Sequence, residues 1–321
     1  MAKIIVELCQ NHNGSRDVLR KMIGAAAENG ADIVKIQSIW SSDLTERPQF
    51  EEGEVDGRTG ICTAIKRPYA AEVERLSKLD LTLEDHRIFA DTCQEFGVTA
   101  MTTVFARHRI RQVASIPALR GVVKVASYDC ASYPMLRELA QHFEHFIIST
   151  GATYDEEIKQ AAELMKSLGK RFAFLHCVTS YPNALHDCNL ARMEWLRQFT
   201  PEVGWSDHTK VKESGLVAAK AALALGAQYV ERHFTILDED KTKDGPVSIT
   251  PAMLKELSDF RRLSSDEQMQ ELDKRHPGWR IAIGVPERQL GHTELLNRDY
   301  YRGRFASPKK DGGWLYNWEP N

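Results

Sequence analysis

The sequence predicts a (β/α)₈ barrel, because eight apolar, strand-like runs follow one another and helix-like stretches separate most of them. Most of the runs also end on residues able to do chemistry, as expected of a fold whose strand ends converge on one catalytic face. The runs start at Ile4 or span 32–37, 98–103, 121–127, 146–150, 171–177, 203–209 and 227–233. The chain is therefore predicted to be an enzyme.

Helix boundaries support this alternation. Ser15 is a candidate N-cap for a helix over 17–29, which Gly30 would end. Thr82 is expected to open a helix that stops at Gly97. Both helices have the length expected between two strands of a βα unit.

Two further helices and two irregular segments complete the predicted organisation. A helix is expected to begin at Thr153, with acids in its first turn where the helix dipole favours negative charge, and another over 212–225. Residues 38–81 lack clean periodicity and are predicted to form an insertion over the catalytic face. The barrel is assigned to residues 1–275 and a C-terminal extension to 276–321.

Composition narrows the class of protein. A net charge of -3 and a pI near 6.4 show no excess of basic residues, so neither nucleic acid nor an anionic membrane is expected as the main partner. The six cysteines form no CxxC pair, which suits free thiols in a reducing cytosol. The start MAKIIVELCQ resembles neither a signal peptide nor a membrane span. A cytoplasmic enzyme is predicted.

Two histidines indicate a metal site. His208 follows the seventh run and His233 ends the eighth, so both imidazoles are expected on one rim. Such a pair suits a divalent transition metal such as manganese, iron, cobalt or zinc. A core histidine and a turn histidine would give the same pattern. No HExxH motif is present, which disfavours a hydrolytic zinc site.

Two lysines inside apolar runs indicate a binding site for an anion. Lys35 and Lys124 would be costly to bury without a negative partner, which a bound phosphate or carboxylate would supply. Pairing with a neighbouring glutamate, or a Schiff-base role, remains an alternative. Hydroxyl groups expected on the same rim favour a small oxyanion-rich ligand: Thr103, Ser127, Ser149 and Ser206.

Eight motifs, in order and spacing, resemble the sialic acid synthase family over roughly residues 3–265. They are ELCQNHNG, VKIQ, TTVF, VKVAS, IISTGA, LHCVTSYP, GWSDHT and ERHFT. The resemblance implies a metal-dependent (β/α)₈ barrel that condenses phosphoenolpyruvate (PEP) with the aldehyde of an N-acylated hexose. The products would be a 3-deoxy-2-keto sugar acid and phosphate. It also implies a homodimer with an antifreeze-like domain after the barrel.

The resemblance also implies roles for single residues. His208 and His233 would hold the metal, expected to be Mn²⁺ with Mg²⁺ or Co²⁺ as alternatives, and would be catalytic together with Glu7 and Lys35. PEP would be bound by Lys35, Thr103, Lys124, Ser127, Ser149 and Ser206. The sugar would be contacted by Glu7, Gln37, Tyr181, Thr179 and Asp244.

The chain departs from the family pattern on the acceptor side. Val247 in DGPVS stands where the family has a sugar-contacting aspartate, with Asp244 on the other side of the Gly-Pro. Thr179 stands where an asparagine is common. The tail is too short for a full antifreeze-like domain. Its basic and aromatic residues are expected either at a dimer interface or on the chain's own barrel: Arg298, Arg302, Arg304, Trp314, Tyr316 and Trp318.

The predicted activity is that of a PEP-dependent transferase that makes a sialic-acid-like keto acid from a small sugar aldehyde. N-Acetylmannosamine is expected to be a poor acceptor, because Val247 and the short tail remove polar contacts. A metal-dependent pyruvate aldolase and a non-catalytic barrel that binds metal and sugar are the alternatives.

Overall fold

The computed structural model describes residues 1–320 and contains a closed barrel of eight parallel strands. The strands are β1 (Lys3–Glu7), β2 (Ile33–Ser38), β3 (Thr99–Val104), β4 (Val122–Val125), β5 (His145–Ser149), β6 (Arg171–His176), β7 (Val203–Asp207) and β8 (Tyr229–Phe234). Each strand pairs with the next, and β8 pairs with β1 to close the barrel. The predicted (β/α)₈ barrel is confirmed.

Helices surround the barrel and extend beyond it. They are α1 (Arg16–Glu28), α2 (Tyr69–Ser77), α3 (Leu83–Glu95), α4 (Ile110–Val113), α5 (Tyr133–Ala140), α6 (Asp155–Ser167), α7 (Arg192–Leu196), α8 (Val211–Ser214), α9 (Val217–Ala224), α10 (Pro251–Phe260), α11 (Ser265–Arg275) and α12 (His292–Tyr301). Across residues 1–320, none of these helices is both long enough and apolar enough to cross a membrane.

The loops contain short strands and 3₁₀ turns. Antiparallel pairs join Glu54–Val55 to Cys62–Ala64 and Ser307–Pro308 to Trp314–Leu315, while Ser248–Ile249 pairs with β8. Single 3₁₀ turns occupy Ser41–Asp43, Pro48–Phe50, Arg107–Arg109, Pro117–Leu119, Ser127–Asp129, Leu185–Asp187, Glu239–Lys241, Gly245–Val247 and Trp279–Ala282.

The two helix starts inferred from capping residues are confirmed. The hydroxyl of Ser15 accepts a hydrogen bond from the Val18 amide at the start of α1. Thr82 and Asp85 form a reciprocal capping box at the start of α3, with amide-to-side-chain distances of 2.8 and 3.2 Å. Gly97 ends α3 with a positive φ of 73°, which glycine adopts at little steric cost.

Two of the predicted helix boundaries are wrong. Tyr154, not Thr153, precedes α6, because the Thr153 hydroxyl donates instead to the Ser127 carbonyl at 2.8 Å. The helix expected over 212–225 is two helices, α8 and α9, because Gly215 has a φ of +54° and interrupts the backbone between them.

The barrel interior changes from apolar to polar toward the carboxyl ends of the strands. One layer is a cluster of buried apolar side chains: Ile5, Ile33, Met101, Val122, Ile147, Ala173, Leu175 and Tyr229. Side chains on one face of a strand recur every two residues. The residues two positions after five of these are Glu7, Lys35, Thr103, Lys124 and Ser149. The strands therefore present a polar layer next to this apolar layer, on the side of their carboxyl ends.

The tail packs against the chain's own barrel and against the 38–81 insertion. The Asn297 side chain donates to the Thr179 carbonyl at 2.8 Å, and the Thr179 amide donates to Glu294 at 3.2 Å. The Thr45 amide donates to the Arg304 carbonyl at 3.0 Å. These bonds hold α12 and the following residues over the carboxyl ends of the strands.

Candidate active site

A cavity of about 390 Å³ opens at the carboxyl ends of the barrel strands. Nearly all residues that the sequence singled out line it: Glu7, Lys35, Gln37, Thr103, Lys124, Ser127, Ser149, Tyr181, Ser206, His208, His233 and Asp244. Thr179 is the exception, since it is buried behind Ser127, with their hydroxyl oxygens 3.2 Å apart. The predicted site residues therefore lie together in one cavity at the carboxyl ends of the strands.

Lys35 is the centre of a buried ion network. Its ammonium contacts Glu7 and lies 2.9 Å from Oε1 of Glu231. Burial opposes the positive charge, but the two carboxylates outweigh it and raise the pKa of Lys35. Burial also raises the pKa of Glu7, although Lys35 acts in the other direction. The network thus favours the charged form of Lys35, whereas burial opposes the charge of Glu7.

Lys124 shares Glu231 with Lys35. Its ammonium lies 3.5 Å from Oε2 of Glu231 and donates to the Ser149 hydroxyl at 2.6 Å. Burial would raise the pKa of Glu231, but Lys124 and Lys35 together lower it to about 2. For Lys124, burial dominates and lowers the pKa. Sequence reasoning left Glu231 out of the site, although its place two residues before His233 puts both on one strand face.

The two histidines His208 and His233 lie close together at the carboxyl ends of neighbouring strands. Their ring centroids are 5.4 Å apart, and the Tyr181 ring packs on His208 at 4.2 Å. Burial lowers the pKa of each histidine to about 3, so both imidazoles are neutral near pH 7. Nδ1 of His208 lies 3.0 Å from the Val178 carbonyl. That contact assigns the proton to Nδ1 and leaves Nε2 with a free lone pair.

Cys9 and Asp244 join His233 in a group suited to a cation. The thiol, one ring nitrogen and one carboxylate oxygen all lie within 4.8 Å of one another, with Sγ of Cys9 3.2 Å from Nδ1 of His233. His208 is not part of this group. Cys9 also has a φ of +48°, a left-handed conformation that is uncommon for a residue with a side chain. Its place two residues after Glu7 was the sequence signal that could have identified it.

The loop after β8 places Val247 away from the cavity, while the prediction for N-acetylmannosamine stays a prediction. The Val247 side chain is buried, at 3% exposed, and it is not among the residues that line the cavity. Asp244 lines the cavity instead, so a carboxylate is still present on this side. Gly245 permits this course of the loop, because a Cβ there would lie 1.9 Å from the Glu239 carbonyl oxygen.

Loops and the tail supply lining residues that sequence reasoning did not place in the site. The insertion contributes Arg67 and Arg75, as its predicted position over the catalytic face would allow. The tail contributes Thr293, Asn297, Tyr301 and Arg304 from the same chain. The aromatic ring of Tyr301 stacks on Tyr128 at 5.5 Å. No periodic pattern marked these positions in the sequence.

Comparison with known proteins agrees with this geometry. The model of the NeuB family matches residues 22–270. The chain belongs to the NeuB family. This NeuB-family chain is 31% identical over 263 residues to N,N'-diacetyllegionaminic acid synthase of Legionella pneumophila, covering 79% of the chain and 69% of the relative. It is 28% identical over 318 residues to pseudaminic acid synthase of Campylobacter jejuni, covering 98% and 84%.

Solved structures share the fold of this NeuB-family chain. N-Acetylneuraminic acid synthetase from Leptospira borgpetersenii superposes with a TM-score of 0.69 at 23% identity, covering 86% of the chain and 93% of that structure. The spore coat polysaccharide biosynthesis protein spsE of Bacillus subtilis gives 0.67 at 25% identity, covering 93% and 77%. The family membership and the synthases among its relatives identify the protein as an enzyme, a sialic acid synthase-like transferase.

Proposed function

We propose that this protein condenses PEP with the aldehyde of a sugar to give a 3-deoxy-2-keto sugar acid and phosphate. The observation that carries the proposal is that one cavity is lined by two buried lysines, several hydroxyls and two members of a group that could hold a metal, His233 and Asp244. An anion with two acidic groups and an aldehyde that needs polarisation are the substrates that such a cavity suits. Two relatives named above, the synthases of N,N'-diacetyllegionaminic acid and of pseudaminic acid, support this reaction class.

PEP would bind in the polar layer of the barrel. Lys35 and Lys124 would face its carboxylate and phosphate, and the hydroxyls of Thr103, Ser127, Ser149 and Ser206 would donate to its oxygens. Charge-assisted hydrogen bonds of this kind are the strong ones in proteins. The carboxylates of Glu7 and Glu231 fix both ammonium groups before the ligand arrives, so little reorganisation is needed.

A divalent metal would be held by Cys9, His233 and Asp244, with the ring of His208 5.4 Å from that of His233. The residues fit the ion, since one thiol, one neutral imidazole and one carboxylate converge within 4.8 Å. When bound, the metal would act as a Lewis acid toward the aldehyde oxygen. The thiol and the imidazole favour a transition ion such as cobalt, zinc or iron over magnesium, whereas the carboxylate is a ligand that suits manganese. The contact of His208 with the Val178 carbonyl is the kind that orients metal-binding imidazoles.

The reaction would form one carbon–carbon bond and break one carbon–oxygen bond. C3 of PEP attacks the aldehyde carbon, and the aldehyde oxygen becomes a hydroxyl by taking a proton. Water then adds at C2, and the resulting tetrahedral centre loses phosphate by cleavage of the C2–oxygen bond. Glu7 would accept the proton that this water loses as it adds at C2. It suits this role because burial raises the pKa of Glu7 and the contact with Lys35 holds its carboxyl group in place.

A metal-dependent pyruvate aldolase remains the second candidate, because the candidate metal group and the buried lysines would also suit pyruvate. The test is a phosphate-release assay with PEP, manganese and a panel of aldoses and hexosamines, with pyruvate replacing PEP in parallel. The proposal expects phosphate release that requires both substrates. Metal-dependent turnover of pyruvate without PEP would instead establish this aldolase, whereas trapping at Lys124 by borohydride would indicate a Schiff base.

All six cysteines are free thiols, as expected in a reducing compartment. The cytoplasmic location and the homodimer stay predictions.

A further inference from the structure

A second group of cations lines the outer part of the cavity. Its members come from the insertion, the loop after β8 and the tail, and we call them the outer cations: Arg67, Arg75, Lys243 and Arg304. None of them lies on a barrel strand, whereas Lys35 and Lys124 lie on β2 and β4. The outer cations are therefore distinct from the lysines proposed to bind PEP.

One carboxylate, Glu72 on α2, is shared among the outer cations. It contacts Arg304, lies 3.1 Å from the Arg75 guanidinium and lies 3.9 Å from the Lys243 ammonium. Burial would raise the pKa of Glu72, but these neighbours lower it to about 2, so Glu72 is fully ionised. It still cannot balance three cations by itself.

Asp244 acts electrostatically on Lys243 as a second carboxylate, while the hydrogen bonds of Arg67 and Arg75 outside this group go to neutral oxygens. Arg67 donates to the Lys66 carbonyl at 3.0 Å, and Arg75 donates to the side-chain oxygen of Gln10 at 2.9 Å. Nε of Arg304 is buried without a hydrogen-bond partner. The outer part of the cavity thus carries a surplus of positive charge and at least one buried donor that a ligand could satisfy.

The outer cations lie on the side of the proposed metal donors. Gln10, which Arg75 contacts, follows Cys9, and Lys243 precedes Asp244. The aldehyde carbon would lie at these donors, so the rest of the acceptor would extend along the outer cations. The two lysines and the hydroxyls of the polar layer already serve the two acidic groups of PEP.

Resting on the proposed function, we propose that the acceptor aldose carries an anionic group, a phosphate or a carboxylate, at the end distal to its aldehyde, and that the outer cations bind this group. Guanidinium groups suit both anions, since they donate two parallel hydrogen bonds to a pair of oxygens. A neutral hexosamine could accept a hydrogen bond from Arg304 but would leave the surplus positive charge without a counter-charge.

The test compares matched acceptors in the phosphate-release assay with saturating PEP and manganese. Each N-acylated hexosamine or hexose is supplied as the free sugar, as its 6-phosphate and as the corresponding uronic acid. The proposal expects kcat/KM for one anionic form to exceed that of its neutral form by at least about tenfold. It also expects Arg67→Gln and Arg75→Gln to raise KM for that anionic form severalfold, with KM for PEP unchanged. Lys66→Gln is the control, because Lys66 pairs with Glu52 outside the cavity.

Several results would overturn the proposal. Phosphate release that is equal or faster with neutral acceptors would refute the anionic acceptor and leave the proposed function standing. A rise in KM for PEP in Arg67→Gln would assign the outer cations to PEP instead. If no sugar in the panel reacts, thermal stabilisation by mannose 6-phosphate beyond that by mannose, at saturating PEP, decides the question, and equal shifts would contradict the proposal. Failure of PEP itself to bind the wild-type protein would refute the proposed function and this inference together.

Discussion

The ammonium of Lys35 on β2 lies 2.9 Å from a carboxylate oxygen of Glu231 on β8, although β1 separates the two strands. Lys124 on β4 reaches the other oxygen of the same carboxylate at 3.5 Å. Glu231 therefore contacts lysines on two other strands of the barrel. Because the carboxylate is buried and its pKa lies at about 2, it keeps this role throughout the physiological pH range.

Replacing either lysine by methionine should weaken PEP use. Losing a charge-assisted contact costs about 1.5 to 3 kcal/mol, which corresponds to a rise of roughly 10- to 100-fold in KM for PEP. Lys35→Met should also destabilise the fold more than Lys124→Met, because Lys35 contacts two buried carboxylates, Glu7 and Glu231. Steady-state kinetics and urea unfolding measure the two effects. Lys159→Met on the surface of α6 is the control, and an unchanged KM in both active-site variants would contradict the assignment.

Cys9 should bind a metal through its sulfur. Protein stripped with EDTA and reloaded with Co²⁺ should show a thiolate-to-cobalt absorption band in the near ultraviolet, because the thiol lies 3.2 Å from the His233 ring. Cys9→Ser should abolish the band and lower the amount of cobalt bound. Cys62→Ser should retain it, since Cys62 lies in the insertion and its thiol donates to the Ala64 carbonyl. A band that survives in Cys9→Ser would remove Cys9 from the metal site.

The tail should contribute to acceptor binding from within the same chain. Tyr301 lines the cavity, held by stacking on Tyr128, and one hydrogen bond from it to the acceptor would be worth roughly 1 kcal/mol, or about fivefold in affinity. Tyr301→Ala is expected to raise KM for the acceptor by about that factor and to leave KM for PEP unchanged. Leu295→Ala, at an exposed position of α12, should change neither constant. Equal effects on both substrates would indicate a loss of structure instead.

Glu72 should stabilise the fold in a pH-dependent way. Its pKa falls from 4.5 to about 2 on folding, because its cationic neighbours outweigh burial. A carboxyl with a depressed pKa stabilises the folded state fully above its unfolded pKa, and this contribution disappears as the pH falls from about 4.5 toward 2. The difference in unfolding free energy between wild type and Glu72→Gln should therefore shrink as the pH falls from 6 toward 3. A difference in unfolding free energy that stays constant with pH would contradict the ionised state of Glu72. Glu74→Gln, on the exposed side of α2, serves as the control.

Local sequence patterns were sufficient to predict the fold. The eight strands followed from short apolar runs, and the starts of α1 and α3 followed from Ser15 and Thr82, whose capping bonds involve residues only three positions away. The break at Gly215 was missed because Lys212 and Glu213 before it and the alanine-rich residues after it favour a continuous helix. The polar layer was predictable as well, since residues at strand ends in a barrel share one face.

The remaining part of the site depends on contacts between distant segments. Cys9 and Asp244 are separated by most of the barrel sequence, and Asp244 lies in an irregular loop whose course no periodicity reveals. Arg304 reaches the cavity through bonds between the tail and the insertion, such as that from the Thr45 amide. The burial of Val247 likewise follows from the turn that begins at Gly245. Sequence analysis identifies such residues only as possible ligands, because their convergence is a tertiary property.

The fate of the bridging oxygen of PEP is the most direct test of the proposed reaction. The enzyme is incubated with manganese, a reactive aldose and PEP that carries ¹⁸O in the bond between C2 and phosphorus, and the products are analysed by mass spectrometry. Cleavage of the C2–oxygen bond predicts that the label appears in the released phosphate and that the new keto oxygen comes from water. Label retained in the keto acid would show phosphorus–oxygen cleavage and would contradict the proposed condensation.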